Sequence, residues 1–239
     1  MTTRRCPHCP AAPAHATARG AAHAPRCRDI RLPRVARPPD NPRMTHEPPA
    51  AGFSLKPVLT GEKTVLRPFT AADADTMAEI IDDPEVLRFT GDSPNDLTPD
   101  FLRSWYGSRN AQPDRLDLAV TDRATGELLG EAVLHDWDPA RRSCTFRTLI
   151  GPTGRDRGIG TEAVRLIVGH GFERLGLHRI DLDVYSHNHR ARHVYEKVGF
   201  TEAGVTGESV LRDGERHDAT LMSILAPDWA KHRGRPVRP

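Results

Sequence analysis

Between Arg179 and Tyr185 the chain alternates strictly. Ile180, Leu182 and Val184 fall on one side and Asp181, Asp183 and Tyr185 on the other, a period of two that predicts a half-buried strand. Upstream, Val164, Ile167, Val168, Gly171, Phe172 and Leu175 recur at three- and four-residue intervals, which gives a helix one apolar face to lay on a sheet. Leu116 to Thr121, Leu128 to Asp136 and Ser143 to Ile150 read as three successive strands joined by turn-forming Ala-Thr-Gly and Asp-Pro-Ala segments, an antiparallel meander. Before them come a short strand, Thr64 to Phe69, then a helix opened by Thr70 with an acidic first turn, then a second helix from Thr98 to Asn110 with Pro99 at its first position. A helix over His189 to Val198 and two strands turning at Asp213-Gly214 complete a mixed α/β pattern.

The first 50 of the 239 residues break this pattern. They are dominated by Ala, Pro and Arg and cannot bury enough apolar surface to offset the entropy of ordering, so they are expected to be disordered. Within them Cys6, Cys9, His23 and Cys27 have the spacing C-x2-C-x13-H-x3-C, which numerically resembles a zinc site. The intervening alanines and prolines offer nothing large and apolar to pack beneath a metal, and no metal is expected. The composition changes at Met44, which we read as the start of the biological chain, with a domain over 51–230 and a disordered tail over 231–239.

Charge follows the same division. Met1 to Arg43 holds nine Arg against Asp29 and Asp40, a local +7 in a chain of net +2, so the remainder carries −5. A slightly acidic folded part lacks the clustered cations of a nucleic-acid surface. No apolar run approaches the ~20 residues needed to span a bilayer, and the Arg-rich start lacks the apolar core of a secretory signal. A cytoplasmic protein, monomer or homodimer, with neither nucleic acid nor membrane as partner, is expected. Cys144, the lone thiol of the domain, reads as a small buried hydrophobe.

The chemistry concentrates in GRDRGIGTEA, Gly154 to Ala163, at the entry of the amphipathic helix. Gly158 to Ala163 satisfies G-x-G-x-x-A with acidic Asp181 downstream, as a dinucleotide site requires. Eight residues separate Ile150 from Gly158, however, whereas that fingerprint sets its first glycine at the end of the strand. The other reading is an anion cradle, R-x-x-G-x-G, in which the N–H groups of Arg157 to Thr161 point inward at the positive end of the helix and Arg155 and Arg157 add charge. Glycines at 158 and 160 then let main chain approach a pyrophosphate. A plain helix entry with glycines for tight packing is the structural alternative.

Some 30 residues on, Asn188, Ala191, Tyr195, Glu196, Lys197, Gly199 and Phe200 form N-x-x-A-x-x-x-Y-E-K-x-G-F. The two motifs in this order resemble the GCN5-related N-acetyltransferase (GNAT) family over roughly Val58 to Trp229, and RDRGIGTEA, LGLHRIDLDVYSHN and YEKVGF resemble its ribosomal-protein N-terminal acetyltransferase branch. The resemblance implies one mixed, mostly antiparallel sheet with helices on both faces and a splayed parallel strand pair, Ser143 to Ile150 beside Arg179 to Tyr185, holding acetyl-CoA as co-substrate. It implies that Arg155, Asp156, Arg157, Gly158, Ile159, Gly160 and Thr161 hold the pyrophosphate and that main chain at Leu149, Ile150 and Gly151 pairs with the pantetheine arm. A backbone N–H near Leu149 or Ile150 then polarises the acetyl carbonyl. Tyr195 becomes the proton donor to the departing thiolate and Asn188 an anchor near the reactive end. The bland alternatives are a core tyrosine on the face of Ala191 and Val198, and an N-cap at Asn188.

The implied activity is direct acetyl transfer to a primary amine, on a protein N-terminus or a small molecule such as a polyamine or aminoglycoside. A non-catalytic acyl-CoA-binding module and, further off, a dinucleotide-binding protein are the alternatives. Two positions depart from the family pattern: Thr145 stands where relatives often carry a basic Glu, and Arg147 where glycine is common. The general base is therefore unassigned, with His135, Asp136, Asp138 or a water chain as candidates.

Overall fold

A computed structural model of the chain describes residues 52–90, 97–212 and 215–233, with side chains omitted over 206–217. The expectations for the Arg-rich leader, its Cys/His spacing and Met44 lie outside the described residues, as does the Asp213-Gly214 turn.

Eight strands make one sheet: β1 (Leu59–Thr60), β2 (Thr64–Pro68), β3 (Leu116–Asp122), β4 (Leu128–Asp138), β5 (Ser143–Ile150), β6 (Arg179–Tyr185), β7 (Thr201–Arg212) and β8 (Glu215–Leu225), in the order β1-β2-β3-β4-β5-β6-β8-β7. Every neighbouring pair is antiparallel except β5 and β6. That parallel pair is joined only at Ser143↔Arg179, Cys144↔Ile180 and Thr145↔Asp181, and beyond these residues the two strands part. The sheet is thus two half-sheets stitched at one end and open at the other.

Alternation sends the side chains of each strand to two different cores. On one face α4 (Ile159–Glu173), α5 (His189–Val198) and α6 (Ala226–His232) pack on Leu118, Val120, Leu134, Ile180 and Leu182. On the other face α1 (Ala74–Ile81), α2 (Pro84–Thr90) and α3 (Pro99–Ser108) cover Ala119, Leu128 and Leu149. The central strand β3 is buried along its whole length because both faces are covered. The periodicity-based elements and the expected fold class agree with this arrangement. β1, α2 and α6 are additional, and α6 carries ordered helix to His232, past the boundary expected at 230.

Local chemistry fixes the ends of these elements. Thr70 and Asp73 form a reciprocal cap ahead of α1, Asp73 accepting the Thr70 N–H at 2.7 Å while Arg67 donates to both carboxylate oxygens. Thr98 accepts the Phe101 N–H at 3.2 Å and Pro99 opens α3. Glu162, in the first turn of α4, accepts the N–H groups of Glu62, Lys63 and Thr64 at 2.7–2.9 Å and the Thr64 hydroxyl at 2.8 Å. Burial opposes its ionisation, but these four donors hold its carboxyl below the ordinary value and tie the β1–β2 turn to the helix. Gly171 lies where α4 crosses the seam of the sheet. A Cβ there would stand 3.1 Å from Ile180 of β6 and 3.4 Å from Leu134 of β4, tight contacts that would push those side chains aside as the helix lies across both half-sheets.

Candidate active site

Where β5 and β6 part, the structure opens a cavity of about 1190 Å³. Its floor is Thr148, Leu149 and Ile150 of β5 facing Asp183, Val184 and Tyr185 of β6; the loop before α4 closes one end and α2 and α3 wall the other. Hydrogen-bond alternation determines which backbone groups look into the gap. Gly151 N–H donates to Leu129 O at 2.8 Å, toward β4, so Leu149, two residues back, points the same way, and Thr148 and Ile150 turn their N–H groups toward β6, where no strand partner follows. Arg155 Nε donates to Ile150 O at 3.3 Å on that same edge.

In the loop, Asp156 and Gly158 adopt left-handed backbone, φ 57° and 80°, and this curls the main chain around the end of α4. The amides from Asp156 to Thr161 have no protein acceptor among the described residues; the first N–H of the series to find one is that of Glu162, bonded to Gly158 O. Free amides at a helix N-terminus suit an anionic ligand. The arginines are placed differently from the sequence expectation that both turn their charge into the cradle. Arg155 pairs with Asp83 and with Glu85 (3.0 Å), both at the start of α2. Arg157 pairs with Asp122 and donates to Thr153 O at 2.9 Å. The reason is local: Asp122 and Asp83 present carboxylates held below their ordinary pKa, chiefly by those same guanidinium groups, and a paired charge is cheaper there than an unpaired one.

Leu149, Ile150, Arg155, Asp156, Arg157, Gly158, Gly160, Thr161, Asn188 and Tyr195 all line the cavity. Gly151 and Ile159 do not. Gly151 is buried against Ile80, and the Ile159 side chain is part of the core beneath α4. Asn188 caps α5, its Oδ1 accepting Ala191 N–H at 3.1 Å, so the N-cap role holds in full while the residue still borders the cavity. Tyr195 is 7 % exposed, its ring set between Phe146 (6.0 Å, edge-on) and Phe200 (5.9 Å), and its hydroxyl has no protein partner among the described residues. Burial pushes this phenol well above its ordinary pKa, which keeps it protonated at neutral pH.

One group was not singled out from the sequence. Asp183 projects from β6 just beyond the last paired residues, borders the cavity, and has no cationic or hydrogen-bonding partner among the described residues. Its side chain is exposed at the cleft, and partial desolvation, then the nearby Asp181, raises its pKa. The strict alternation of Arg179 to Tyr185 already put Asp183 on the face opposite the core; what was missing was the register that sets it past the seam. Of the earlier base candidates, His135 pairs with Asp136 at 3.1 Å and, like Asp138, stands away from the cavity. Arg147 pairs with Glu131 at 2.9 Å. Cys144 is a buried free thiol in the seam, as its reading as a hydrophobe requires. Among the described residues there is no cluster of metal-ligating side chains and no helix long and apolar enough to cross a membrane.

A parallel pair splayed open beside a loop of free helix-terminal amides is the architecture of an acyl-CoA-dependent N-acyltransferase. Residues 63–201 match the family described as Acetyltransferase (GNAT) domain, and the chain belongs to that family, whose enzymes use acetyl-CoA. It is similar to the spermidine N(1)-acetyltransferase of Escherichia coli (strain K12), 25 % identical over 169 residues that make up 70 % of this chain and 89 % of that protein. It is also similar to the "Putative ribosomal N-acetyltransferase YdaF" of Bacillus subtilis (strain 168), 31 % identical over 104 residues, 44 % of this chain and 57 % of that one. Among solved structures, the spermidine N-acetyltransferase from Vibrio cholerae in complex with CoA and spermine superposes with a TM-score of 0.65 at 24 % identity, covering 71 % of this chain and 99 % of that one. The dinucleotide alternative fails on topology, since the strand before the loop ends an antiparallel meander and shares only three residue pairs with its parallel neighbour.

Proposed function

We propose that this protein moves the acetyl group of acetyl-CoA directly to a primary amine, with Asp183 as base, Tyr195 as acid and the Ile150 N–H as the donor to the acetyl oxygen. The observation that carries the reading is the juxtaposition at the open end of the seam: a carboxylate with raised pKa and a phenol with raised pKa line one cavity, beside strand amides that have no partner. Acetyl-CoA supplies the activated thioester. Asp183 accepts a proton from the incoming ammonium and passes it to solvent, freeing the lone pair that forms the C–N bond. Ile150 N–H stabilises the charge gathering on the carbonyl oxygen. Tyr195 gives its proton to the sulfur as the C–S bond breaks, and recovers one from the newly acylated nitrogen. The balance is one ammonium and one thioester to one amide, one thiol and one released proton.

The loop amides from Asp156 to Thr161, with Asn188 nearby, are the groups we assign to hold the donor's pyrophosphate and its reactive arm. We place the enzyme in the cytoplasm, as monomer or homodimer. A thiol-release assay with acetyl-CoA and a panel of amines tests the whole: amine-dependent thiol production is expected, and acetyl-CoA binding without it leaves a non-catalytic acyl-CoA module.

The cradle has its own test. A Cβ at Gly160 would lie 3.6 Å from Ile150, an ordinary contact, so Gly160→Ala fits the protein alone and adds helix propensity. Its methyl obstructs only a ligand laid against the main chain. The melting temperature is expected to hold or rise, while acetyl-CoA affinity by calorimetry falls at least tenfold, about 1.4 kcal/mol. Unchanged affinity removes the cradle assignment.

A further inference from the structure

Four acidic residues line the cavity, and three are already neutralised. Glu85 meets Arg155 at 3.0 Å and Arg190 at 2.8 Å, Asp156 meets Arg190, and Glu131 meets Arg147 at 2.9 Å. Among the described residues, Asp183 is the one cavity carboxylate without a cation. The wall toward α2 and α3 is aromatic: Phe89, Phe101, Trp105 and Tyr106 border the same cavity. Phe101 stacks on Trp105 with centroids 5.8 Å apart and remains 45 % exposed. Trp105 is braced from behind by Arg109, a buried residue whose guanidinium lies 3.7 Å from the indole centroid and whose Nε donates to Trp105 O at 3.0 Å. This shelf is apolar and borders the cavity.

From one unneutralised carboxylate and one braced aromatic shelf we infer the acceptor's class: a primary amine carrying a single positive charge on an apolar, best an aromatic, skeleton, with polyamines poor substrates. The inference rests on the acetyl-transfer reading above and narrows its acceptor. The ammonium goes to Asp183 and the ring to Phe101 and Trp105, where flat apolar surface leaves water on binding. A polyamine would bring a second and third ammonium onto the shelf, where no free carboxylate among the described residues lines the cavity to receive them, and an unpaired ammonium there loses hydration without compensation. Two sources present the same chemistry, a free arylalkylamine and a peptide with an aromatic first residue.

The experiment compares kcat/KM for 2-phenylethylamine, the tripeptide Phe-Gly-Gly, the tripeptide Ser-Gly-Gly and spermidine, with wild type and Phe101→Ala. Phe101 is exposed, so its truncation leaves the fold intact, which a thermal melt verifies. We expect phenylethylamine or Phe-Gly-Gly to exceed both spermidine and Ser-Gly-Gly by at least tenfold, and Phe101→Ala to raise the aromatic acceptor's KM at least fivefold, well beyond its effect on spermidine or Ser-Gly-Gly, while the KM for acetyl-CoA holds. Whichever aromatic compound leads identifies the source. Spermidine or Ser-Gly-Gly matching the aromatic acceptors, or Phe101→Ala weakening all acceptors equally, overturns the inference and leaves acetyl transfer standing. No turnover of any amine overturns the acetyl-transfer reading itself, and the inference with it.

Discussion

Tyr195→Phe is expected to slow kcat by about a hundredfold or more, the usual range for a positioned general acid, while the KM for acetyl-CoA moves little and the melting temperature stays put. The substitution removes one oxygen and keeps the ring between Phe146 and Phe200. Because that hydroxyl has no protein partner among the described residues, its loss leaves no buried group unsatisfied. The raised pKa suits the proposed donor role, since a phenol that stays protonated has a proton to give and cannot serve as resting-state base. Steady-state kinetics and a thermal melt on one preparation decide it, with viscosity or burst measurements to ensure that chemistry limits the rate. A structural tyrosine gives the opposite outcome, a lower melting temperature with turnover within twofold of normal.

Asp183→Asn separates function from stability in the other direction. A primary alkylamine with a pKa near ~10 is almost wholly protonated at pH 7, so losing the base is expected to lower kcat/KM for the amine by roughly a hundredfold there. The defect narrows as pH rises and the amine deprotonates unaided, and the acid limb of the wild-type profile, set by a carboxyl titrating above its ordinary value, disappears. Stability runs opposite. A carboxyl whose folded pKa is raised holds its proton more tightly folded than unfolded, so its ionisation costs stability that is absent at low pH and present once the pH exceeds the folded pKa. Asparagine removes that cost, which solvent screening keeps small at an exposed residue, and the variant is expected to melt at about the wild-type temperature at neutral pH. Equal activity of variant and wild type across the pH range assigns the base elsewhere.

The strands and long helices were legible because burial on one face imposes a period, and the boundaries of Ser143 to Ile150, Arg179 to Tyr185 and His189 to Val198 coincide with those observed. α2 was not legible. Its seven residues give too few turns for a period to show, and it is anchored by Asp83 and Glu85 bonding to Arg155, some 70 residues away. The loop before α4 and Tyr195 were picked out through motifs, which encode local backbone and one helix face. The directions of Arg155 and Arg157 were missed because their carboxylate partners come from α2 and β3, neighbours that only the tertiary fold supplies. Asp183 escaped notice for a related reason: alternation gives the side a residue faces, while its role depends on where the parallel pairing stops.

The two half-sheets meet through three residue pairs, so backbone bonding across the seam does little to set how far the open end gapes. α4 lies over both halves, and at Gly171 its backbone comes close to Leu134 of one and Ile180 of the other, so it is the element placed to hold that width. The helix works as a cross-brace and Gly171 as its bearing. A residue with nothing but a hydrogen for a side chain, outside the cavity lining, thereby bears on the separation between the strand edge we assign to the acetyl group and the strand that carries the proposed base, and alanine there would act on catalysis as a change of gauge.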